Sequence, residues 1–248
     1  MHSRNYFVFA GKRSADFGLF VEASPNQPKP KRKVKLIDIP GRNGALRIDQ
    51  GGYQNIAVTY QCAFLGGPEK AAEVAEWLYG SGGGYAVLRD SYHAGVFRRG
   101  AFDGPLDIEN ILNRAGRCEI TFECRPELWL DSGEHILKFY PTASVRVFEA
   151  DIYNPTLFAS RPLIRVFGSG AASININDRA FSISSIPADI YIDSDMRNAY
   201  RDGIGYNDRI ITPTDFPILN PGHNRLVVAG VTTMTVTRLE ITPRWWIL

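Results

Sequence analysis

The chain has few of the residues that enzymes and metalloproteins use for chemistry. Its 248 residues include three cysteines and four histidines. Cys62, Cys118 and Cys124 lie in alternating apolar stretches, without CxxC spacing or a histidine partner. We therefore expect buried thiols made in a reducing cytosol, with no metal and no cofactor. No apolar run reaches the roughly 18 residues of a membrane span, and the N-terminal run is too short for a signal peptide, so we expect no membrane association.

No constellation of residues indicates catalysis. There is no G-x-S-x-G elbow, and the glycine-rich segment 80–84 follows a predicted helix, whereas a phosphate-binding loop precedes one. His93 follows Asp90 closely, but a general base needs a positioned partner that sequence alone does not show. Asp193 and Asp195 would share one face at a strand end, a geometry that can bind a divalent cation. We interpret them as a solvated strand end and expect no enzymatic activity.

The charge pattern is nearly balanced, with one local exception. The formal net charge of +2 gives no global field for nucleic acid. The exception is a proline-interrupted basic run that contains Lys29, Lys31, Arg32 and Lys33. Its interpretations are a solvated loop, a nucleic-acid arm, or a contact with an acidic surface of a neighbouring subunit. One candidate acidic surface is a stripe on the predicted helix, formed by Glu69, Glu73 and Glu76.

The first half of the chain shows strand periodicity and one helix. Apolar residues alternate from Ile56 to Phe64 and again from Cys118 to Cys124, which puts each set on one face of a strand. Pro68 opens a helix over about 68–79, since its missing N–H is tolerated at the first helical position. The segment from Pro40 to Gly44 is predicted to be a turn with two glycines available for positive φ.

The second half has a different pattern of short strands. They recur about every 8–12 residues and are separated by turns rich in Gly, Asn, Asp and Ser, which is typical of a sandwich or jelly roll. We place the boundary within 138–160, giving domains 1–145 and 146–248. The predicted fold class is mainly β: an N-terminal barrel- or sandwich-like domain with one α-helix, followed by a jelly-roll β-sandwich.

Several short motifs resemble the siphophage distal tail protein family in their order and spacing. In the first half they are Ser14 to Leu19, Ile39 to Gly44, Trp77-Leu78, Tyr85 to Leu88 and Cys124-Arg125-Pro126. In the second half they are Asn154-Pro155-Thr156, Arg161 to Ile164, Gly168-Ser169-Gly170 and Phe216 to Asn224.

This resemblance implies a non-enzymatic virion protein at the phage tail tip, assembled in the cytoplasm of the bacterial host. It implies that six copies close a ring through the N-terminal domain, with a galectin-like sandwich on the outside. The ring would join a tail tube protein to a tail hub protein and support host-adsorption parts, and DNA would meet it only in the lumen. We hypothesise that the subunit interface includes Lys29, Lys31, Arg32, Lys33, Pro40, Gly41, Arg42, Glu69, Glu73 and Glu76.

The alternative function is a carbohydrate-binding β-sandwich that recognises polysaccharide of the host cell wall. It would use the terminal aromatic pair, Trp245 and Trp246, because flat rings can stack on sugars. The other interpretation of this pair is that it packs a final strand onto a sheet.

Overall fold

The computed structural model describes residues 5–112, 115–142, 146–177, 179–211, 215–230 and 235–248. Within these ranges the chain is mainly β with one α-helix, which confirms the predicted fold class. It divides into two compact units, Met1–Leu128 with Leu248, and Trp129–Ile247. No helix in the described ranges is long and apolar enough to cross a membrane.

The first unit is built around an antiparallel sheet with the strand order β2-β1-β7-β8-β10-β6-β3, and β9 lies beside β10. A short 3-10 helix, Ser14–Phe17, precedes β3. The elements are β1 Phe7–Phe9, β2 Lys12–Arg13, β3 Leu19–Val21, β4 Arg32–Ile37, β5 Leu46–Tyr53, β6 Ile56–Leu65, α1 Pro68–Tyr79, β7 Ala86–Asp90, β8 Val96–Ala101, β9 Ile108–Leu112 and β10 Ala115–Cys124. β11, Leu128–Leu130, follows where the two units divide.

The core of the first unit lies between the central strands and the helix. The predicted alternation on β6 and β10 is confirmed, and these strands pair along their whole length. Helix α1 begins and ends as predicted and buries Val74, Trp77 and Leu78. The Trp77 indole N–H donates to the Phe9 carbonyl at 3.2 Å, which fixes the helix on the sheet. The three cysteines are buried free thiols, as expected.

The second unit contains a larger antiparallel sheet system. Strands β12-β20-β14-β15-β16-β17 follow in that order, β18 lies beside β15, and β19 links β13 to β14. Two 3-10 helices lie at Asp131–Glu134 and Asn207–Arg209. The strands are β12 Leu137–Phe139, β13 Val147–Asn154, β14 Leu163–Ile176, β15 Arg179–Asp193, β16 Asn198–Arg201, β17 Ile204–Gly205, β18 Ile210–Ile211, β19 Gly222–Gly230, β20 Val236–Thr242 and β21 Trp246–Ile247.

Two long strands replace four predicted short ones. The sequence pattern predicts strands at 162–167, 172–177, 180–186 and 188–193, with breaks at Gly168–Gly170 and Pro187, residues that weaken or interrupt strands. In the structure β14 and β15 continue through these points and pair with each other along their length. A shift of register between Gly170 and Ala172 absorbs the irregularity as a bulge, so the glycines bend the strand without ending it.

The division between the units lies between Leu128 and Trp129, and the predicted boundary at residue 145 lies outside the described residues. β12 pairs with β20, so Leu137 faces Ile241. The Leu130 N–H donates to the Trp245 carbonyl at 2.9 Å. These bonds tie the described residues from Trp129 onwards to the second unit.

Candidate subunit interface

Strands β4 and β5 form a two-stranded sheet of their own. They pair with each other and with no other strand of the described residues. Directly opposed residues of an antiparallel pair share a face. One face of this hairpin carries Lys35, Ile37, Leu46 and Ile48, and the other carries Val34, Leu36, Arg47 and Asp49. We call residues 32–53 the hairpin.

The hairpin exposes apolar side chains that globular domains normally cover. The exposed fractions are 67% for Leu36, 42% for Leu46, 41% for Ile48 and 38% for Ile39. An isolated two-stranded hairpin is at best marginally stable in water, and clustered exposed apolar groups often mark protein contacts. The hairpin is therefore a candidate for contact with another chain.

The hairpin and the segment before it carry excess positive charge. Lys31, Arg32 and Lys33 are exposed, and Arg32 lies within 3.3 Å of Asp49 Oδ2. Both side chains of that ion pair are more than half exposed, so it contributes at most about 1 kcal/mol. Lys29 is also exposed and donates to the carbonyl of Leu248 at 2.8 Å.

The predicted turn forms the tip of the hairpin. Pro40, Gly41 and Arg42 are exposed there, and the Arg42 N–H donates to the Ile39 carbonyl at 3.1 Å. Gly41 and Gly44 both have φ of 78°, a left-handed conformation that favours glycine. The hypothesised interface residues from Lys29 to Arg42 thus belong to one contiguous, largely exposed segment.

Helix α1 carries the hypothesised acidic stripe on its exposed side. Glu69, Glu73 and Glu76 are all exposed. Among the described residues no salt bridge joins this stripe to the hairpin of the same chain. The stripe is therefore not ion-paired with the hairpin of its own chain, as far as the described residues show.

A second acidic surface lies on the outer face of β6 and β10, and sequence reasoning did not select it. We call it the outer face. Glu119 accepts a hydrogen bond from Gln61, and Glu123 accepts one from Asn55 at 2.6 Å. The alternation of Glu119, Thr121 and Glu123 opposite the buried residues of β10 was the sequence signal for it. Its side chains are Ala57, Thr59, Gln61 and Ala63 on β6, and Arg117, Glu119, Thr121 and Glu123 on β10.

Two open grooves border the outer face. One, of about 390 Å³, runs between Asn55, Asp103 and Glu123. The other, of about 460 Å³, lies between residues 23–28 and Gln61. Ala57 lines both grooves, Thr121 lines the first and Thr59 lines the second, so short side chains lie where the two grooves meet the outer face. This shape leaves room for an extended segment or a hairpin.

The terminal aromatic pair lies mostly inside the second unit. Trp245 is 5% exposed and belongs to the core. The Trp246 ring stacks on Phe158 with 4.4 Å between ring centroids, and its indole N–H donates to the Ala159 carbonyl at 3.1 Å. Trp245 therefore offers no free ring face to a sugar.

The acidic and histidine residues considered for chemistry have structural partners. Asp193 forms two bonds to Arg244, and His93 Nδ1 lies 2.8 Å from Asp90 Oδ1. Burial alone would raise the pKa of Asp193, but the bonds from Arg244 and two backbone N–H groups outweigh it and lower this pKa. In the described part of the chain no group of three or more metal-ligating side chains comes together.

Comparison with known proteins shows a similarity of fold and no closer relationship. No protein-family model matches the chain, and no curated protein matches it. A solved structure similar to it is that of the SPP1 Dit (gp 19.1) protein, described as a paradigm of the hub adsorption apparatus in phages that infect Gram-positive bacteria. The TM-score is 0.71 at 11% sequence identity, with 99% of this chain and 100% of that chain covered.

Proposed function

We propose that this chain is a structural protein of a phage tail tip and acts as a distal tail protein. The hairpin, which exposes apolar and basic side chains outside the main sheet, is the observation that carries the proposal. The likeness in fold to SPP1 Dit over the whole length of both chains supports the same assignment. In this proposal the protein has no catalytic role, and its function is to join other tail proteins in a fixed arrangement.

We propose that six copies close a ring in which the hairpin of each copy contacts the next copy. Such a head-to-tail contact closes only when the rotation per subunit is right. The ring would join the tail tube protein to the hub protein at the tip of the virion, and its lumen would continue the tail channel. The chain would thus carry host-adsorption parts without binding a cofactor.

The hairpin has two candidate acceptors on the neighbouring copy. The outer face presents Glu119 and Glu123 beside small side chains, and the helix stripe presents Glu69, Glu73 and Glu76. We favour the outer face, because its grooves and short side chains leave room for the hairpin to pack on it face to face. Sheets that pack in this way lie about 10 Å apart.

The state of assembly of the purified chain tests the proposal. We expect sedimentation velocity and negative-stain images to show six-fold rings that dissociate as salt rises, because the contact is partly electrostatic. The triple variant K31E/R32E/K33E should remain monomeric. The matched control K12E/K138E/R179E changes three exposed cations elsewhere by the same charge and should still form rings. A wild-type chain that stays monomeric at high concentration would contradict the ring.

A charge swap distinguishes the two acceptors. On its own, E119K/E123K should prevent ring formation. Combined with K31E/R32E/K33E, it should restore the ring. If E69K/E73K/E76K, and not E119K/E123K, restores the ring of the K31E/R32E/K33E variant, the helix stripe is the acceptor. Rings that form with K31E/R32E/K33E alone and in both combinations would rule out an electrostatic contact through the hairpin.

A further inference from the structure

The first unit buries an arginine that has an unsatisfied donor. Arg98 lies on β8 with 6% of its surface exposed, on the face that packs into the core. Its Nη1 is buried and makes no hydrogen bond to any described residue. Burial lowers the pKa of this guanidinium, while the nearby Cys124, Tyr60 and Asp90 oppose that change. A buried N–H without a partner is rare because it loses its hydrogen bonds to water and gains none in return.

Arg98 lines a small cavity whose walls carry further polar groups. The cavity measures about 20 Å³, and Tyr60, Asp90 and His93 also line it. Asp90 Oδ1 already accepts hydrogen bonds from the backbone N–H groups of Tyr92 and His93, and His93 Nδ1 lies 2.8 Å from it. Within the described residues, Asp90 Oδ2 accepts only the Tyr60 hydroxyl, at 3.1 Å, so it retains capacity for another donor.

We propose that this cavity binds one ordered water, which accepts a hydrogen bond from Arg98 Nη1 and donates one to Asp90 Oδ2. Roughly 10–15 Å³ is enough for one water, and a second water would need about as much again. The bridge supplies the missing partner of Arg98 and connects two opposite charges that make no direct ion pair among the described contacts. It makes Arg98, Asp90 and Tyr60 one hydrogen-bonded network.

The electrostatics of the walls select water over an ion. An anion beside Arg98 would also lie beside the Asp90 carboxylate, and a cation would meet the guanidinium. Both arrangements place like charges close together in a poorly solvated site. Water can accept from one group and donate to the other, so it satisfies both.

The water site also connects the root of the hairpin to the core. Pro25 is buried and Gln27 is half-buried, and both line the cavity shortly before β4 begins. The network therefore lies beside the segment that leads into the hairpin. Removing the Gln27 side chain should open the site and shorten the residence time of the water.

Crystallography and water-oxygen-17 magnetic relaxation dispersion on the full chain test this site. The expected result is density for one water at about 2.7–3.2 Å from Arg98 Nη1 and a similar distance from Asp90 Oδ2. Dispersion should detect one fewer long-lived water in R98M than in the wild type. The matched control is R99M, since Arg99 is the next residue on β8 and points to the other face. In R99M the long-lived water should remain.

Each other outcome overturns a defined part of the proposal. Absence of density between the two groups overturns the water site, whether or not R98M folds. A bromide peak in the cavity after growth in bromide shows an anion site instead. An unchanged dispersion in Q27A overturns the claim that the hairpin root closes the cavity.

Discussion

Arg244 and Asp193 form a two-bond ion pair inside the second unit. Arg244 Nη1 lies 2.8 Å from Asp193 Oδ1, and Nη2 lies 2.9 Å from Oδ2. Their side chains are 13% and 4% exposed. Asp193 also accepts the backbone N–H groups of Asp195 and Met196, so the carboxylate is almost fully satisfied. The pair links the end of β15 to the segment before the last strand.

Removing one partner of this pair should destabilise the second unit strongly. We expect R244M to lower the free energy of unfolding by about 3–5 kcal/mol, because it leaves the Asp193 charge buried without its partner. Chemical denaturation measures this change. The control D195N alters an acidic residue whose ion pair with Arg161 is longer, at 3.7 Å, and should change stability by less than about 1 kcal/mol.

The same pair predicts a loss of stability in acid. The pKa of Asp193 is lowered in the folded state, so the unfolded chain binds a proton at this group first, near pH 4. The contribution is complete above the unfolded pKa and disappears as pH falls through the folded pKa. Between pH 5 and pH 3, D193N should show a shallower fall in unfolding free energy, by at most about 1.4 kcal/mol per pH unit. Identical slopes would contradict this assignment.

Two glycines with the same backbone conformation should respond differently to alanine. Gly18 and Gly11 have φ of 77° and 79°. A Cβ at Gly18 would collide with the Leu65 carbonyl, whereas a Cβ at Gly11 would have no described atom within 4 Å apart from those of its two chain neighbours. We expect G11A to cost about 1–2 kcal/mol and G18A a further ~1–3 kcal/mol. Equal melting temperatures for the two variants would show that the carbonyl moves aside.

A buried polar network should stabilise the loop after β13. Asn154 is 1% exposed, donates to the carbonyls of Phe158 and Leu219, and accepts from Thr156. N154A leaves these groups unsatisfied and should cost roughly 2–4 kcal/mol in thermal or chemical unfolding. The control L157A removes a side chain that is 87% exposed in the same loop, and should stay within about 0.5 kcal/mol of wild type.

Elements with one buried face were predictable, and elements defined by distant partners were not. Residues 56–64 alternate because only one face of β6 is buried, and α1 begins at Pro68 for local reasons. The predicted turn from Pro40 to Gly44 marks the tip of the hairpin, but β5 is exposed on both faces, so its residues show no alternation that would tell which face another chain covers. Arg244 and Asp193 are 51 positions apart, so their pairing depends on the fold of the whole unit. The orphan donor of Arg98 likewise becomes visible only when its neighbours are in place.

The adjacent residues Trp245 and Trp246 should have unequal roles. W245A would leave a cavity in the core of the second unit and should cost about 3–5 kcal/mol in chemical denaturation. Trp246 is half-buried against Phe158, so W246A should cost less than half as much. Because Trp245 has no exposed face, W246F should also abolish any fluorescence change that host wall polysaccharide produces through this pair. A change that persists in W246F would place the sugar elsewhere, and equal costs for the two alanine variants would contradict the assigned roles.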